Sequence, residues 1–283
     1  MKKLIRFDWA IKKLLRNKAN FGILEGFLSE LLKVDIRIEA ILESESNKES
    51  AEDKSNRVDI LVKTTDGELM LIEVQNNAQI DYFHRMIFGI SKLISEYIKD
   101  GEAYGTIRKA ISINIVYFDL GQGNDYVYEY EGHFVGRHQN DVLMPSPTQQ
   151  VRYNIGRIAD LFPRYFILKI NNFDNTAHDT LDEWIYFLKN SEIQDDFQAK
   201  GLQEAGEKLR IETLSDGEKA AYSRFREDRR IELSVLETAK FTAEMKGREE
   251  GKIEIARNLK RVGIDYQAIA DATGLSVAEI DSL

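Results

Sequence analysis

Hydrophobic and polar residues alternate along residues 57–75, where two apolar runs flank the segment Thr65–Gly67. An Asp-Gly pair between alternating apolar runs is a strong local signal for a β-hairpin. A two-residue turn would place Asp59 and Glu73 on opposite faces of the sheet, because a one-residue slip reverses every side chain. A three-residue turn with Gly67 left-handed instead gives one wholly apolar face, which comprises Val58, Ile60, Val62, Met70, Ile72 and Val74. We therefore predict the three-residue turn.

The polar face of this hairpin carries two carboxylates. In the predicted register Asp59 lies directly opposite Glu73, with Cβ atoms about 5 Å apart, and the two groups repel each other unless a cation offsets their charge. A divalent cation such as Mg²⁺ prefers oxygen ligands of this kind. A pair of solvated surface carboxylates is the alternative interpretation. Leu61 and Leu71 share the same face, so we expect a half-buried site.

The spacing of apolar residues predicts helices and strands along the rest of the chain. A helical pattern at residues 8–33 is divided by the polar stretch 17–20, and residues 79–99 form another helix with an apolar stripe of Ile80, Phe83, Ile87, Ile90, Leu93, Ile94 and Ile98. We predict further strands at 35–42, 110–117, 126–133, 141–144 and 164–170, and a helix at 179–189. This order predicts an α/β fold in which helices flank a mixed sheet.

The C-terminal third changes to charge-dense helical sequence from about residue 197. Residues 253–283 predict three short helices with Asp265 and Ser276 as N-caps, in an arrangement that resembles a helix-turn-helix. The last helix has no side chain suited to reading bases, so we favour packing or homodimer formation through these helices over DNA reading. We expect three parts, at residues 1–195, 196–247 (a charged helical arm) and 248–283 (a small helical module).

Composition narrows the classes of protein that the chain can belong to. The formal net charge of −9 excludes a generally basic nucleic-acid-binding protein, although a local basic patch is compatible with it. The absence of cysteine excludes disulfides and thiolate metal sites and predicts a cytoplasmic location. No apolar run is long enough to span a bilayer, so we expect no membrane partner.

Asp59 followed by Glu73-Val74-Gln75 resembles the metal-binding signature of the PD-(D/E)XK nuclease superfamily in its E-x-Q form. The segments RFDWAIKKLL, RVDILV, IEVQNN, DYFHRMIFGISKLI and ISINIVYFDLG are similar to recombination-promoting nucleases, a transposase-like group of that superfamily. The resemblance extends to the C-terminal EGKIEIARNLKRVGIDYQAIADATGLS. It implies a restriction-endonuclease-like core in residues 1–195, with the helical extension after it.

The resemblance also implies an activity, namely metal-dependent hydrolysis of DNA phosphodiester bonds with Asp59 and Glu73 as Mg²⁺ ligands. It makes Asp8 and either Lys12 or Lys13 further members of the site. Gln75 departs from the usual lysine of the signature, and an amide cannot supply a positive charge or act as a base. We expect Lys12, Lys13 or Lys63 to supply that charge.

Two residues of the helix after the hairpin are candidates for binding substrate. Tyr82 and Arg85 lie near the helix start, and the planar guanidinium of Arg85 suits a phosphate. An intramolecular salt bridge of Arg85 is the alternative.

A catalytically weak or inactive DNA-binding protein on the same fold is the second function that we consider. A retaining glycosidase, which also uses two carboxylates, is a weaker third.

Overall fold

The computed structural model describes residues 4–42, 58–97, 103–107 and 109–283, and for Lys12, Val58 and Asp59 it describes the backbone alone. The chain divides into two compact units, Met1–Leu214 and Ser215–Leu283. The first unit extends beyond residue 195, because the segment after it packs on the N-terminal helices. The predicted loop at residues 44–56 lies outside the described residues.

Within these ranges, one mixed sheet of six strands forms the centre of the first unit. The strands are β1 (Ile38–Leu42), β2 (Val58–Thr64), β3 (Leu69–Gln75), β4 (Ala110–Val116), β5 (Val127–Tyr130) and β6 (Arg164–Lys169). Their order across the sheet is β1-β2-β3-β4-β6-β5, with β3, β4 and β6 parallel and the other pairs antiparallel. The predicted α/β class with a mixed sheet is confirmed.

Helices flank this sheet, as the apolar spacing predicted. In the first unit they are α1 (Phe7–Lys13), α2 (Phe21–Leu32), α3 (Tyr82–Tyr97), α4 (Pro147–Tyr153), α5 (Thr180–Asn190) and α6 (Leu202–Lys208). The predicted break between α1 and α2 is confirmed. Asn17 accepts a hydrogen bond from the backbone of Ala19 at 3.0 Å, and a short 3-10 turn, Lys18–Asn20, separates the two helices.

The β2–β3 hairpin has the predicted register. Asp59 is the cross-strand partner of Glu73, and Lys63 is the partner of Leu69. The backbone N–H of Gly67 donates to the carbonyl of Thr64 at 2.9 Å, and Gly67 has φ +82°, the left-handed conformation that glycine adopts without strain. The three-residue turn is confirmed.

The two faces of the hairpin are covered by different helices. On the apolar face, Ile60, Val62, Met70, Ile72 and Val74 are buried. On the other face, Leu61, Leu69 and Leu71 pack against Ile90 and Leu93 of α3. Since successive side chains of a strand alternate between faces, Glu73 lies on the face that α3 covers.

The predicted apolar stripe of α3 is correct in its second half and wrong in its first. Ile90 and Leu93 are buried, but Ile80, Phe83 and Ile87 are 105%, 46% and 57% exposed. Tyr82 and Met86 are buried in their place, packed near Val116 and Leu120. The helix has apolar residues on more than one face, so its packing against the sheet decides which face is buried. Ile98, also predicted for this stripe, lies outside the described range.

The predicted strand at residues 141–144 is also wrong. Only an isolated bridge between Val135 and Val142 forms there. Helix α4 begins shortly after this segment, where Ser146 and Gln149 form a capping box and Pro147 is the first helical residue. Proline suits that position because its missing N–H has no helical partner there.

The second unit contains α7 (Asp216–Arg261), α8 (Tyr266–Thr273) and α9 (Val277–Ser282). Three short helices were predicted at residues 253–283, and the prediction of the first is wrong. That segment is not a separate helix, because α7 continues through Arg261. The predicted N-caps Asp265 and Ser276 are confirmed by their side-chain hydrogen bonds. Ala256, Ile269 and Ile280 form the small core of this unit. Nothing in the described part of the unit supports the predicted homodimer.

Candidate active site

Glu73 occupies a buried position near the end of β3, where α3 covers the polar face of the hairpin. Its side chain is surrounded by polar groups although the residue is only 5% exposed. The Tyr82 hydroxyl lies 3.3 Å from Oε2, and Nη2 of Arg85 lies 3.6 Å from Oε1. Glu73 is therefore more buried than the half-buried site that we expected, and it is held by two residues of the first turn of α3.

The residues predicted to bind substrate are both found beside Glu73. Arg85 forms the intramolecular ion pair that we considered as the alternative, and it also donates to Gln79 Oε1 at 3.2 Å. The ring of Tyr82 is fully buried, with an exposed fraction of 0%. Direct contact between Tyr82 and a substrate does not agree with this burial, whereas contact with Glu73 does.

Polar residues of β4 lie beneath Tyr82. Asn114 is the cross-strand partner of Glu73 on the parallel strand β4, and its Oδ1 lies 3.2 Å from the Tyr82 hydroxyl. The Asn114 amide donates to Ser112 Oγ at 2.9 Å and to the Phe166 carbonyl at 3.0 Å. The Tyr82 hydroxyl thus lies between two acceptors, Glu73 and Asn114, and Asn114 is hydrogen-bonded to the middle of the sheet.

Asp8 lies in the first turn of α1 and is 1% exposed. Arg6 donates to its two carboxylate oxygens at 3.2 and 3.0 Å, and the backbone of Trp9 donates at 2.9 Å. Asn76, directly after β3, donates to Oδ2 at 3.3 Å. The structure thus places Asp8 near the end of β3 in a buried and hydrogen-bonded state.

Gln75 and Asn76 each have a buried oxygen without a hydrogen-bond partner. Gln75 is 2% exposed, and its amide nitrogen donates to the Asn77 carbonyl at 3.3 Å. Within the described part of the protein, Oε1 of Gln75 and Oδ1 of Asn76 have no partner. A buried acceptor without a partner is costly, so these oxygens indicate a place for a water molecule or a cation.

Three lysines were expected to supply the positive charge that Gln75 lacks, and the structure describes them to different extents. Lys63 pairs with Glu39 at 2.8 Å, on the side of β2 toward β1, so its charge is directed away from Glu73. Lys13 is exposed, and the side chain of Lys12 lies outside the described atoms. Among the cations whose positions are described, Arg6 contacts Asp8 and Arg85 contacts Glu73.

Sequence reasoning missed three residues of this site, namely Arg6, Asn76 and Asn114. A signal for Asn114 existed, because Ser112 and Asn114 are the polar residues of an otherwise apolar strand. Buried polar groups need partners, and these two alternate positions share one face of β4. The sequence shows two adjacent asparagines, Asn76 and Asn77, directly after β3. No periodic pattern in the sequence predicts that Asn76 contacts Asp8.

The donor set at the end of the hairpin fits a hard divalent cation. Asp59 and Glu73 are cross-strand partners, and the unpartnered oxygens of Gln75 and Asn76 are donors of the type that Mg²⁺ accepts. No cluster of three or more His, Cys, Asp or Glu ligands occurs among the described side chains, a set that does not include Asp59. A site built on Asp59, Glu73 and amide or carbonyl oxygens is compatible with both observations.

The fold and the hairpin carboxylate define the class of protein. A mixed sheet flanked by helices, with Glu73 buried opposite Asp59, agrees with the PD-(D/E)XK α/β fold. The family model of PD-(D/E)XK nuclease family transposases matches residues 5–153, more than half of the chain, and the protein belongs to that family. The match contains Asp8, Glu73 and Arg85 but ends before β6. No curated protein and no solved structure matches the chain.

No helix in the described ranges combines the length and the apolar character needed to cross a membrane.

Proposed function

We propose that the protein is a Mg²⁺-dependent endonuclease that hydrolyses phosphodiester bonds in DNA, with Asp59 and Glu73 as the metal-binding residues. The observation that carries this proposal is the burial of Glu73 directly across from Asp59 in the hairpin. A buried carboxylate beside a second one is costly unless both are neutralised, and a divalent cation supplies that neutralisation. Membership of a nuclease family supports the same conclusion.

A cation bound there would lower the pKa of a bound water and offset negative charge that develops on the phosphate. The fit rests on oxygen donors alone, which are the ligands that Mg²⁺ prefers. The backbone carbonyl of Val74 lies between Glu73 and Gln75 in sequence and is a further candidate ligand.

Gln75 and Asn76 would orient the attacking water. Each offers a buried oxygen without a protein partner among the described residues, and such an oxygen accepts a hydrogen bond from water. Neither amide can remove a proton near neutral pH, so their role is to orient the water. Asp8 fixes Asn76 by accepting its amide N–H, and Arg6 holds Asp8 in place.

Positive charge for the phosphate would come from Arg85 and from the lysines of α1. Arg85 lies beside Glu73, and its planar guanidinium suits a phosphate. Lys12 and Lys13 stand at the end of α1, whose first turn carries Asp8. In this proposal these cations take the place of the lysine that other PD-(D/E)XK signatures carry at the position of Gln75.

A second function is favoured by one observation. The Arg85 guanidinium lies 3.6 Å from Glu73, so it competes with a metal for the same carboxylate. If this pair persists on DNA, the protein would bind DNA as a catalytically weak or inactive regulatory protein. The two functions differ in turnover and not in fold.

The experiment that separates them is plasmid cleavage with matched variants. We expect wild-type protein to nick supercoiled plasmid with Mg²⁺ and not with a chelator, and Asp59→Asn and Glu73→Gln to lose cleavage. Asp182→Asn is the control, because Asp182 is equally buried but lies in α5, hydrogen-bonded to Tyr126 at 2.8 Å. Circular dichroism would check that each variant folds.

Two results would contradict the proposal. Undiminished cleavage by Asp59→Asn and Glu73→Gln would remove the site. Binding of DNA without any Mg²⁺-dependent cleavage by the wild type would favour the regulatory function.

A further inference from the structure

An apolar groove lies beside the candidate active site, on the face of the sheet that α3 covers. Its volume is about 400 Å³, which is within the range of pockets that take small ligands. Side chains of α3, β5 and β6 form its walls, and most of them are aromatic or aliphatic: Phe83, Ile87, Tyr128, Tyr130, Tyr165 and Ile167. We call it the aromatic groove.

The aromatic groove exposes rings that the fold leaves uncovered. Phe83 is 46% exposed and Tyr130 is 63% exposed. Glu129, the charged residue of the lining, accepts a hydrogen bond from Arg164 at 3.2 Å, so its charge is paired. Continuous exposed apolar surface of this kind marks a binding site, whereas single exposed apolar residues do not.

Glu73 and the aromatic groove are connected by one row of cross-strand partners. Glu73 pairs with Asn114, Asn114 with Ile167, and Ile167 with Tyr128. Directly opposed residues of neighbouring strands point to the same face, and the strands are about 4.8 Å apart. Tyr128 therefore lies three strands, or about 15 Å, from Glu73 on that face. A DNA strand has one phosphate per about 3.4 Å, so a strand bound at Glu73 would reach the groove within about five nucleotides.

Lys169 places a positive charge at one end of the aromatic groove. It is 4% exposed, and its ammonium lies 5.8 Å from the centre of the Tyr128 ring and donates to the Gly123 carbonyl at 3.4 Å. It forms no ion pair with any carboxylate in the described part of the chain. Lys169 also shares a cross-strand row with Val116 and Gln75, at the carboxyl ends of the parallel strands. A buried charge without a counter-ion favours an anion nearby.

We propose that the aromatic groove binds an unpaired nucleotide of the DNA substrate, with its base stacked on Phe83 and Tyr130 and its backbone attracted by Lys169. This inference rests on the proposed function for DNA as the substrate. It narrows the substrate class to DNA with single-stranded or unpaired nucleotides beside the cleavage point. In a duplex, neighbouring bases cover the faces of each base, so the groove offers fully paired DNA no stacking contact. Single strands do stack their bases on aromatic side chains.

The test measures binding of a short single-stranded oligonucleotide to the full-length protein by fluorescence anisotropy, with a chelator present so that no cleavage occurs. Phe83→Ala should weaken binding at least about fivefold, the lower end of the range for loss of one stacking side chain. Tyr130→Ala should act in the same direction. Affinity for a duplex of the same sequence should stay unchanged in both variants. A fluorescent base analogue that is quenched by stacking should be quenched by the wild type and less by Phe83→Ala.

Three further variants separate stacking from other effects. Phe88→Ala is the matched control, because Phe88 is on the same helix and 66% exposed but does not line the groove. Phe83→Leu keeps an apolar side chain without a ring, and it should weaken single-strand binding as Phe83→Ala does. Lys169→Met should weaken binding at low salt, and its difference from the wild type should shrink as salt screens the charge.

Unchanged single-strand affinity in Phe83→Ala and Tyr130→Ala would overturn the inference, as would an equal loss in Phe88→Ala. Wild-type affinity of Phe83→Ala together with a smaller mass in light scattering would assign the groove to contact between copies of the chain. A wild-type protein that binds the single strand but cleaves no DNA with Mg²⁺ would remove the proposed nuclease function and leave this inference standing. Mg²⁺-dependent cleavage of plasmid without affinity for the single strand would remove this inference alone.

Discussion

The side-chain amide of Asn76 donates a hydrogen bond to the carboxylate of Asp8, with 3.3 Å between Nδ2 and Oδ2. This contact joins helix α1 to the residue that follows strand β3, 68 positions later in the chain. Arg6 completes the arrangement by binding the same carboxylate through two nitrogens. The end of the hairpin is therefore fixed from the N-terminal side as well as by α3.

Asp8→Asn should lower both stability and cleavage. The substitution removes the charge that pairs with Arg6, and loss of hydrogen bonds to a charged group costs about 1.5–3 kcal/mol. Urea unfolding would measure this change, and plasmid nicking should fall because Asn76 loses its fixed acceptor. Asp35→Asn is the control, since Asp35 is an exposed carboxylate that also pairs with basic residues. Equal destabilisation by both variants would contradict the role of Asp8.

Glu73→Ala should lower the melting temperature of the metal-free protein. Two opposed carboxylates alone would predict the reverse, because removing one relieves repulsion. Glu73, however, pairs with Arg85 and accepts from Tyr82, so its removal takes a partner from the buried Tyr82 hydroxyl and from the half-buried Arg85. Mg²⁺ should raise the melting temperature of the wild type and not of Glu73→Ala or Asp59→Ala. A higher melting temperature for metal-free Glu73→Ala would show that repulsion is the larger effect.

Gln75→Lys should reduce cleavage. The position is 2% exposed, so a lysine there loses hydration, and its ammonium would lie near a site that already contains Arg85. We expect the cleavage rate to fall further when Lys12→Ala and Lys13→Ala are added, because those lysines supply part of the positive charge. A clear gain in rate for Gln75→Lys, unaffected by either lysine change, would show that the cation at this position was simply missing.

A fragment that ends at Leu214 should keep Mg²⁺-dependent cleavage. The hairpin, α1, α3 and β6 all belong to the first unit, which ends there. A cut near residue 246 would instead divide α7, which is continuous from Asp216 to Arg261. If the second unit packs or dimerises, its removal should change the mass measured by light scattering more than DNA affinity. Unchanged mass with loss of sequence-selective binding would assign DNA reading to it.

Local pattern was sufficient to predict the hairpin and its register. The alternation of apolar residues and the glycine in the turn leave only one register with a clean buried face, and Asp59 then lies opposite Glu73. The N-caps Asp265 and Ser276 were also predictable, because each capping hydrogen bond joins residues that are only a few positions apart in the sequence.

The partners of the site carboxylates were not predictable from pattern. Asp8 meets Asn76 and Tyr82 meets Asn114 across long stretches of chain, and such pairs leave no periodic signal. The buried face of α3 was mispredicted for a related reason, since Tyr82 turns inward to reach polar groups on β3 and β4. Apolar spacing alone favoured its neighbour Phe83, which is exposed.

The carbonyl of Phe166 that holds Asn114 lies 52 residues after it, on a strand inserted between β4 and β5. During synthesis, β4 leaves the ribosome before β6 does. Until β6 has emerged, Asn114 lacks the Phe166 carbonyl as an acceptor, and one edge of β4 has no neighbouring strand. Closing so long a loop costs chain entropy, so β6 is expected to join the sheet late in folding. The proposed metal site would then become ordered only after most of the first unit has been synthesised, and we expect shorter chains not to cleave DNA.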